Sequence, residues 1–262
     1  MLVDTPESGP INVIRTGPRT RKTLLFLHPV GLDSTWFDNQ ISVFAQEYDV
    51  VAIDMPGHGL SSPLVSEPSF AQLADTVSTV LNKLDIRQAH VVGLSFGGMI
   101  AQHLALRHPE VVRSLVLVGT THTAVSARTA LKQRAAYALS EGMASIVGMT
   151  IERWFAPGYG IRRPDVLDRA TATLLRQDAF AHGAIWGMVS DLDLTQDIDK
   201  ISCPALVVGG SADINVPYEI IEALARALGG APIEMLEGVG HFPPIESPNA
   251  FNGILHSFLK QL

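Results

Sequence analysis

The sequence predicts an α/β domain in which a mostly parallel sheet carries helices on both faces and a helical segment is inserted after the fifth strand. Short, nearly continuous apolar runs alternate with amphipathic stretches, and such runs are typical of strands covered on both faces. The alternation stops at Thr120, where an alanine-rich stretch of helical character begins. The chain has 262 residues, 47% of them hydrophobic, which is enough for one such domain with an insertion.

The first part of the chain, residues 1–119, is expected to form the larger share of the sheet. Its apolar runs predict strands over residues 11–14, 22–28, 48–53, 89–94 and 111–118. Asp33 is expected to open a helix that ends near Ala45. Ser69 and Gln72 have the spacing of a capping box for a helix over residues 69–84, and another helix is expected over residues 96–107.

The middle and last parts of the chain differ in pattern. Residues 120–190 contain no strong buried-strand run and are predicted to form a helical cap over one edge of the sheet. Residues 191–262 return to the alternating pattern and complete the core. They predict strands over residues 203–209 and 232–236, a helix near residues 219–228, and a last helix with Ser247 as N-cap and Pro248 as its first residue.

Composition narrows the classes of partner. The 19 basic and 26 acidic residues give a net charge of −7 without a basic cluster, which argues against nucleic acid or an anionic membrane as partner. Residues 1–10 carry acids and prolines, so no signal peptide is expected. No apolar run approaches 18 residues, so no membrane span is expected either, and we expect a cytoplasmic location. The single cysteine, Cys203, excludes an internal disulfide and is predicted to pack in the core rather than to react.

One segment, residues 91–100 (VVGLSFGGMI), has the layout of a strand, a sharp turn and a helix with Ser95 at the apex. A turn this tight leaves no room for side chains two residues before and after the serine, and Gly93 and Gly97 remove them. The serine hydroxyl would then lie at a helix N-terminus, where free N–H groups favour a developing oxyanion. Ser95 is therefore the candidate nucleophile.

Two further side chains follow predicted strands of the second core part. Asp213 comes just after the strand over residues 203–209, and His241 comes just after the strand over residues 232–236. Because the carboxyl ends of parallel strands meet at one edge, we expect both beside Ser95. A histidine can take the serine proton while a carboxylate fixes its tautomer, and the chain order serine, acid, histidine is one in which this triad occurs.

Each candidate also has an ordinary structural interpretation. Ser95 could be a turn serine, Asp213 a loop-capping aspartate and His241 a surface histidine. The loop after the strand that ends at Val118, which should reach the same edge of the sheet, carries no carboxylate, which favours Asp213. Asp54 and His58 are interpreted as bracing their turn by hydrogen bonding, and His28 as structural. The remaining histidines show no metal-ligand spacing, so no metal site is expected: His90, His103, His108, His122, His182 and His256.

These stretches together resemble the α/β-hydrolase fold in its capped branch. The resemblance covers essentially the whole chain and rests jointly on residues 28–31 (HPVG), 54–61 (DMPGHGLS), 93–98 (GLSFGG), 209–213 (GGSAD) and 240–243 (GHFP). It implies a mostly parallel eight-stranded sheet with a helical cap insertion, and serine hydrolase activity that needs no cofactor or metal. The motifs are most similar to those of 3-oxoadipate enol-lactonases and carboxylesterases.

The resemblance also implies an oxyanion hole made by the backbone N–H groups of Val30 and Phe96. Many relatives have glycine after the first histidine of this motif, whereas this chain has Pro29, which has no N–H to donate. Since the donor is the next residue, Val30, the hole is expected to survive. A serine rather than an aspartate at the turn argues against haloalkane dehalogenase and epoxide hydrolase chemistry.

The expected substrate is a small ester or lactone, cleaved through an acyl-enzyme on Ser95. Carbon–carbon bond hydrolysis and cofactor-free perhydrolysis could use the same residues, and so could an acyltransferase or a ligand receptor that retains the triad. Three tryptophans, Trp36, Trp154 and Trp186, either line the substrate pocket or pack the cap on the core. Assembly into a homo-oligomer is left open.

Overall fold

The computed structural model describes residues 1–19 and 21–262, in which eight strands form one sheet. The strands are β1 (Leu2–Thr5), β2 (Gly9–Thr16), β3 (Thr23–Leu27), β4 (Asp49–Ile53), β5 (Ala89–Leu94), β6 (Val112–Val118), β7 (Ala205–Gly210) and β8 (Ile233–Leu236). Their order across the sheet is β1-β2-β4-β3-β5-β6-β7-β8. The pairs β1–β2 and β2–β4 are antiparallel and the others parallel, so the predicted mostly parallel eight-stranded sheet is confirmed.

Helices cover both faces of this sheet. In chain order they are α1 (Asp38–Phe44), α2 (Phe70–Lys83), α3 (Phe96–Arg107), α4 (Arg128–Glu141), α5 (Met143–Trp154), α6 (Tyr159–Arg162), α7 (Pro164–Leu175), α8 (Ala179–Ser190), α9 (Tyr218–Ala227), α10 (Pro243–Glu246) and α11 (Pro248–Leu259). Successive residues of a strand point to opposite faces, so Leu25 of β3 joins the core beneath α2, α3 and α9, whereas Phe26 joins the core beneath α1 and α11. The nearly continuous apolar strands are explained by this double cover.

Helices α4 to α8 lie between β6 and β7, and we call them the cap. The chain enters and leaves the cap side by side, because Thr123 and Asp193 form an isolated antiparallel bridge. Leu194 N–H also donates to the carbonyl of His122 at 2.9 Å. Within the cap, α4 and α8 pack closely: a Cβ added at Gly183 would lie 3.1 Å from the carbonyl oxygen of Ala135. The cap is thus joined to the core through a narrow neck.

Two local predictions need correction. Strand β1 was not predicted, because four residues with alternating burial give too short a pattern, and it is stabilised by antiparallel pairing with β2. The capping box at α2 is only half formed. The Ser69 side chain accepts from the N–H of Gln72 at 3.1 Å, but the Gln72 side chain donates to the carbonyl of Glu7 at 2.7 Å instead of returning to Ser69.

One helix start differs from the expectation. Asp33 caps a short 3₁₀ turn (Ser34–Phe37), and the regular helix α1 begins after it. The start of α11 is as predicted, with Ser247 as N-cap and Pro248 as the first residue, although the serine side chain makes no capping hydrogen bond. The four-residue helix α10 comes directly before it, and Pro248 would break a continuous helix, so α10 and the 12-residue α11 remain separate.

Candidate active site

Ser95 lies at the apex of the turn between β5 and α3, in a backbone conformation that side chains rarely adopt (φ 52°, ψ −113°). Such a conformation costs about 1–3 kcal/mol and must be held by its surroundings. The Ser95 N–H donates to the carbonyl of Val118 at 2.8 Å, and the hydroxyl of Thr120 donates to the carbonyl of Ser95 at 2.7 Å. The neighbouring strand therefore fixes the turn on which the serine is presented.

The glycines around Ser95 are required by close backbone contacts. A Cβ at Gly93 would lie 2.5 Å from the carbonyl oxygen of Gly97. A Cβ at Gly97 would lie 2.1 Å from the carbonyl oxygen of Leu27, on the adjacent strand β3. The sequence predicts collisions within the turn itself. The structure adds a second reason for glycine at residue 97, because the start of α3 lies in close contact with β3.

Replacement of Gly97 by alanine is expected to lower the free energy of unfolding by about 3 kcal/mol or more, because the obstructing atoms belong to the backbone and cannot rotate away. Gly253→Ala is the matched control, since Gly253 lies in α11 with open space at its Cβ position. Alanine should stabilise that helix by about 0.5–1 kcal/mol. Urea unfolding of both variants measures the difference, and equal stability of the two would contradict the steric argument.

The structure brings the other two predicted side chains to Ser95. Asp213 follows β7, and its Oδ2 lies 2.7 Å from Nδ1 of His241, which follows β8. Nε2 of His241 lies 2.9 Å from Oγ of Ser95. All three residues are buried, with 8%, 4% and 5% of Ser95, Asp213 and His241 exposed. With the proton on Nδ1 donated to Asp213, Nε2 is free to accept the serine proton.

The environment of Asp213 keeps it ionised. Burial by itself would raise the pKa of this carboxyl, but the His241 ring and backbone donors hold the pKa below its usual value. The donors are the N–H groups of Asn215, at 2.8 Å, and Val216, at 3.1 Å, which both reach Oδ1. Oδ2 is therefore left to His241, which fixes the ring orientation.

The cap contacts the His241 loop directly. The His241 N–H donates to the carbonyl of Trp154, the last residue of α5, at 2.9 Å. Glu246 accepts from the N–H of Ala156 at 2.9 Å and from the N–H of Phe242 at 3.3 Å. Burial raises the pKa of the Glu246 carboxyl. Sequence analysis did not single out Glu246, and no motif marks a carboxylate that joins two segments so distant in the chain.

The backbone around Val30 is held by two histidines. His28 Nδ1 lies 2.8 Å from the carbonyl oxygen of Pro29, and its Nε2 accepts from the N–H of Met55 at 2.8 Å. His58 Nε2 accepts from the N–H of Gly31 at 3.1 Å. Burial lowers the pKa of both histidines, so both act as neutral supports of this loop, as their structural interpretation expects.

The two N–H groups assigned to the oxyanion hole are unengaged. Within residues 1–19 and 21–262, neither the N–H of Val30 nor that of Phe96 donates to a protein acceptor. The Phe96 N–H belongs to the first residue of α3, where a helix leaves its donors free. Their use by a substrate remains a prediction.

Asp54 stabilises the turn that carries His58. It accepts from the Asn12 side chain at 2.8 Å and from the N–H groups of Ser34 and Leu60 at 2.8 and 2.9 Å. These hydrogen bonds match the structural interpretation of this carboxylate.

The three tryptophans occupy different places. Trp154 is buried against Phe242, with ring centroids 5.1 Å apart, and its ring lies next to Gly31. Trp186 lies half-buried on α8, and Trp36 is buried on the core side beneath the guanidinium of Arg169. Two of the three thus belong to the cap, and their contact with substrate remains a prediction.

No three His, Cys, Asp or Glu side chains are grouped as metal ligands would be in the part of the chain that the structure describes. In the same residues, no helix is both long enough and apolar enough to span a bilayer.

Residues 22–160 match the family model described as the alpha/beta hydrolase fold. The chain belongs to this family. It is 28% identical to 3-oxoadipate enol-lactonase 2 of Acinetobacter baylyi, over 98% of this chain and 96% of the relative. It is 32% identical to the pimeloyl-[acyl-carrier protein] methyl ester esterase of Chromobacterium violaceum, over 90% of this chain and 94% of the relative.

The fold is also shared with solved structures of this hydrolase family. A hydrolase from Pseudomonas aeruginosa PA01 superposes with a TM-score of 0.92 at 27% identity, covering 99% of this chain and 97% of that one. The predicted family is therefore confirmed, and its fold is shared over 99% of this chain.

Proposed function

We propose that this protein is a serine hydrolase that cleaves an ester or lactone of a small organic substrate through an acyl-enzyme on Ser95. The observation that carries the proposal is the buried hydrogen-bonded chain from Asp213 through His241 to Ser95, with separations of 2.7 and 2.9 Å. The relatives named for enol-lactone and methyl ester hydrolysis support the same type of bond.

In the acylation step, His241 Nε2 takes the proton of Ser95 as Oγ attacks the carbonyl carbon. Asp213 stabilises the imidazolium that forms. The N–H groups of Val30 and Phe96 donate to the oxyanion of the tetrahedral intermediate. His241 then gives its proton to the leaving oxygen, that of the alcohol or the ring oxygen of a lactone, as the bond between this oxygen and the carbonyl carbon breaks and the carbonyl re-forms in the acyl-enzyme.

In the second step, a water molecule takes the position beside His241 that the leaving oxygen occupied in the first step. His241 takes a proton from this water, which attacks the acyl carbon, and the proton then passes to Oγ of Ser95 as the acid leaves. The strained backbone at Ser95 places Oγ 2.9 Å from His241 Nε2, the atom that transfers the proton in both steps.

The test is turnover by the purified protein on a panel of chromogenic short-chain esters, lactones and dienoic diketones. We expect many turnovers per active site on at least one ester or lactone, with free acid as product. A single turnover accompanied by ligand-dependent stabilisation would instead indicate a receptor. Diversion of the acyl group to an added alcohol or thiol would indicate an acyltransferase, and cleavage of the diketones alone would indicate a carbon–carbon hydrolase.

A further inference from the structure

The backbone on both sides of the His241 ring is held by the segment that follows α5. The His241 N–H donates to the carbonyl of Trp154 at 2.9 Å. The next N–H along the chain, that of Phe242, donates to Oε1 of Glu246 at 3.3 Å, and Oε2 of the same carboxylate accepts from the N–H of Ala156 at 2.9 Å. The Glu246 side chain therefore joins the His241 loop to the cap.

The two segments meet at a tight junction. A Cβ at Gly240 would lie 2.5 Å from the backbone nitrogen of Ala156 and 2.8 Å from Oε1 of Glu246. Beside this junction, the rings of Phe155 and Phe242 pack edge to face with centroids 5.7 Å apart. A displacement of the carboxylate would therefore move the backbone that carries His241.

The hydrogen bonds at this junction fit an ionised carboxylate. N–H donors of Ala156 and Phe242 face both oxygens of Glu246. A carboxylate accepts at both oxygens, whereas an amide presents an acceptor at one position and a donor at the other. Glutamine at residue 246 would therefore set an N–H against one of the two backbone donors, although it has nearly the same shape.

The charge of Glu246 acts on His241 as well. Burial raises the pKa of the Glu246 carboxyl, whereas the backbone donors and the charge of His241 lower it. Coupling between two binding or protonation events is reciprocal, so the Glu246 carboxylate also stabilises the protonated form of His241. None of the lysines and arginines in the described part of the chain is paired with this carboxylate to offset its charge.

Two other titratable side chains face this pair. Asp213 contacts the His241 ring directly, through Nδ1 at 2.7 Å. Tyr159 of α6 approaches Glu246, and its hydroxyl donates to the carbonyl of Ile245 at 3.3 Å. Burial raises the pKa of Tyr159, so its hydroxyl is neutral near pH 7 and does not compete with the carboxylates. Two carboxylates, one in direct contact and one a peptide unit away, thus surround the histidine.

We propose that Glu246 is a positioning residue of the candidate active site, which holds the His241 backbone against the cap and stabilises the imidazolium formed when Ser95 is acylated. This inference rests on the proposed function, because that imidazolium forms only if His241 takes the serine proton. Asp213 fixes the ring orientation, and Glu246 fixes the backbone from which the ring projects.

The experiment measures kcat and KM for 4-nitrophenyl butyrate between about pH 5 and 9. Glu246→Gln should lower kcat by about tenfold or more with little change in KM, because His241 is displaced. It should also move the acid limb of the kcat/KM profile to lower pH by about 0.3–1 unit, because protonated His241 loses a nearby anion. A purely structural loss would lower the rate equally at every pH, and an unmoved acid limb would overturn the proposal.

Two further variants separate charge from position. Glu237→Gln removes an exposed carboxylate from the same loop, before His241, and should leave both the rate and the acid limb unchanged, because solvent screens that charge. Glu246→Asp keeps the charge but is one methylene too short to reach both Ala156 and Phe242. It should lower kcat while the acid limb stays near that of the wild type. An equal shift of the limb in Glu237→Gln and Glu246→Gln would contradict a specific role of residue 246.

A titration of the His241 ring by NMR makes the test independent of turnover. Its signals are assigned by their loss in His241→Gln, and the midpoint of the titration should move to lower pH in Glu246→Gln. If the midpoint moves but the wild-type protein hydrolyses no ester or lactone, the hydrolase proposal fails and the electrostatic link between the two residues stands. If the wild-type protein turns over the ester and neither the midpoint nor the acid limb responds to Glu246→Gln, the role of Glu246 is wrong and the hydrolase proposal stands.

Discussion

Replacement of Ser95 by alanine is expected to lower kcat for a chromogenic short-chain ester by at least about 10⁴-fold, because the atom that forms the acyl bond is removed. The fold should be retained. Ser95 makes its structural hydrogen bonds through its backbone N–H and carbonyl groups, and alanine keeps both of them. The measurement is the steady-state rate of the variant, with circular dichroism as a check of folding.

Ser257→Ala is the control for this comparison. Ser257 is exposed on α11, so loss of its hydroxyl should leave the rate unchanged. If Ser95→Ala hydrolysed the ester at a rate near that of the wild type, the nucleophile would have to lie elsewhere.

Replacement of Asp213 by asparagine is expected to lower kcat by about 10⁴-fold with little change in the fold. The asparagine carbonyl can still accept from the N–H groups of Asn215 and Val216, as Oδ1 of Asp213 does. Its amide NH₂ would then face His241 Nδ1, where it can only donate. The imidazole would have to place its proton on Nε2, which could no longer accept the proton of Ser95.

The steady-state rate of Asp213→Asn on the same ester measures this effect. Asp197→Asn removes an exposed carboxylate that pairs with Lys200 and serves as the control for the change of charge. A loss of less than about tenfold in the Asp213 variant would mean that another group orients His241, because a wrong tautomer costs far more than that.

The three side chains at the carboxyl edge of the sheet could be predicted from the sequence. Ser95, Asp213 and His241 lie in the turn or loops that follow β5, β7 and β8, and parallel strands bring their carboxyl ends to one edge. The collision at Gly93 was also predictable, because it arises inside one short turn. These predictions depend on local spacing and on one topological rule.

The contacts between cap and core could not be predicted in this way. The His241 backbone is held by the Trp154 carbonyl, and Glu246 joins Ala156 to Phe242, but neither pairing leaves a periodic or motif signal. Backbone acceptors have no sequence signature of their own. Such contacts appear only when the cap is packed on the sheet.

Side-chain contacts inside the cap could be predicted only in part. His182 and Trp186 are four residues apart on one helix, so their contact was predictable once α8 was placed. Arg134 comes from another helix, and its contact with the Trp186 ring depends on tertiary structure. From the sequence, His182 shows only that it lacks metal-ligand spacing.

The central claim is that Ser95 carries the acyl group during turnover. Rapid acid quench of the wild-type protein with an excess of a slowly deacylating 4-nitrophenyl ester, followed by intact-mass and peptide analysis, tests it most directly. The account predicts one acyl adduct per chain, located on Ser95, that forms at the rate of the nitrophenol burst. Hydrolysis of the ester with no adduct on Ser95, or with an adduct on another residue that forms at the burst rate, would contradict it.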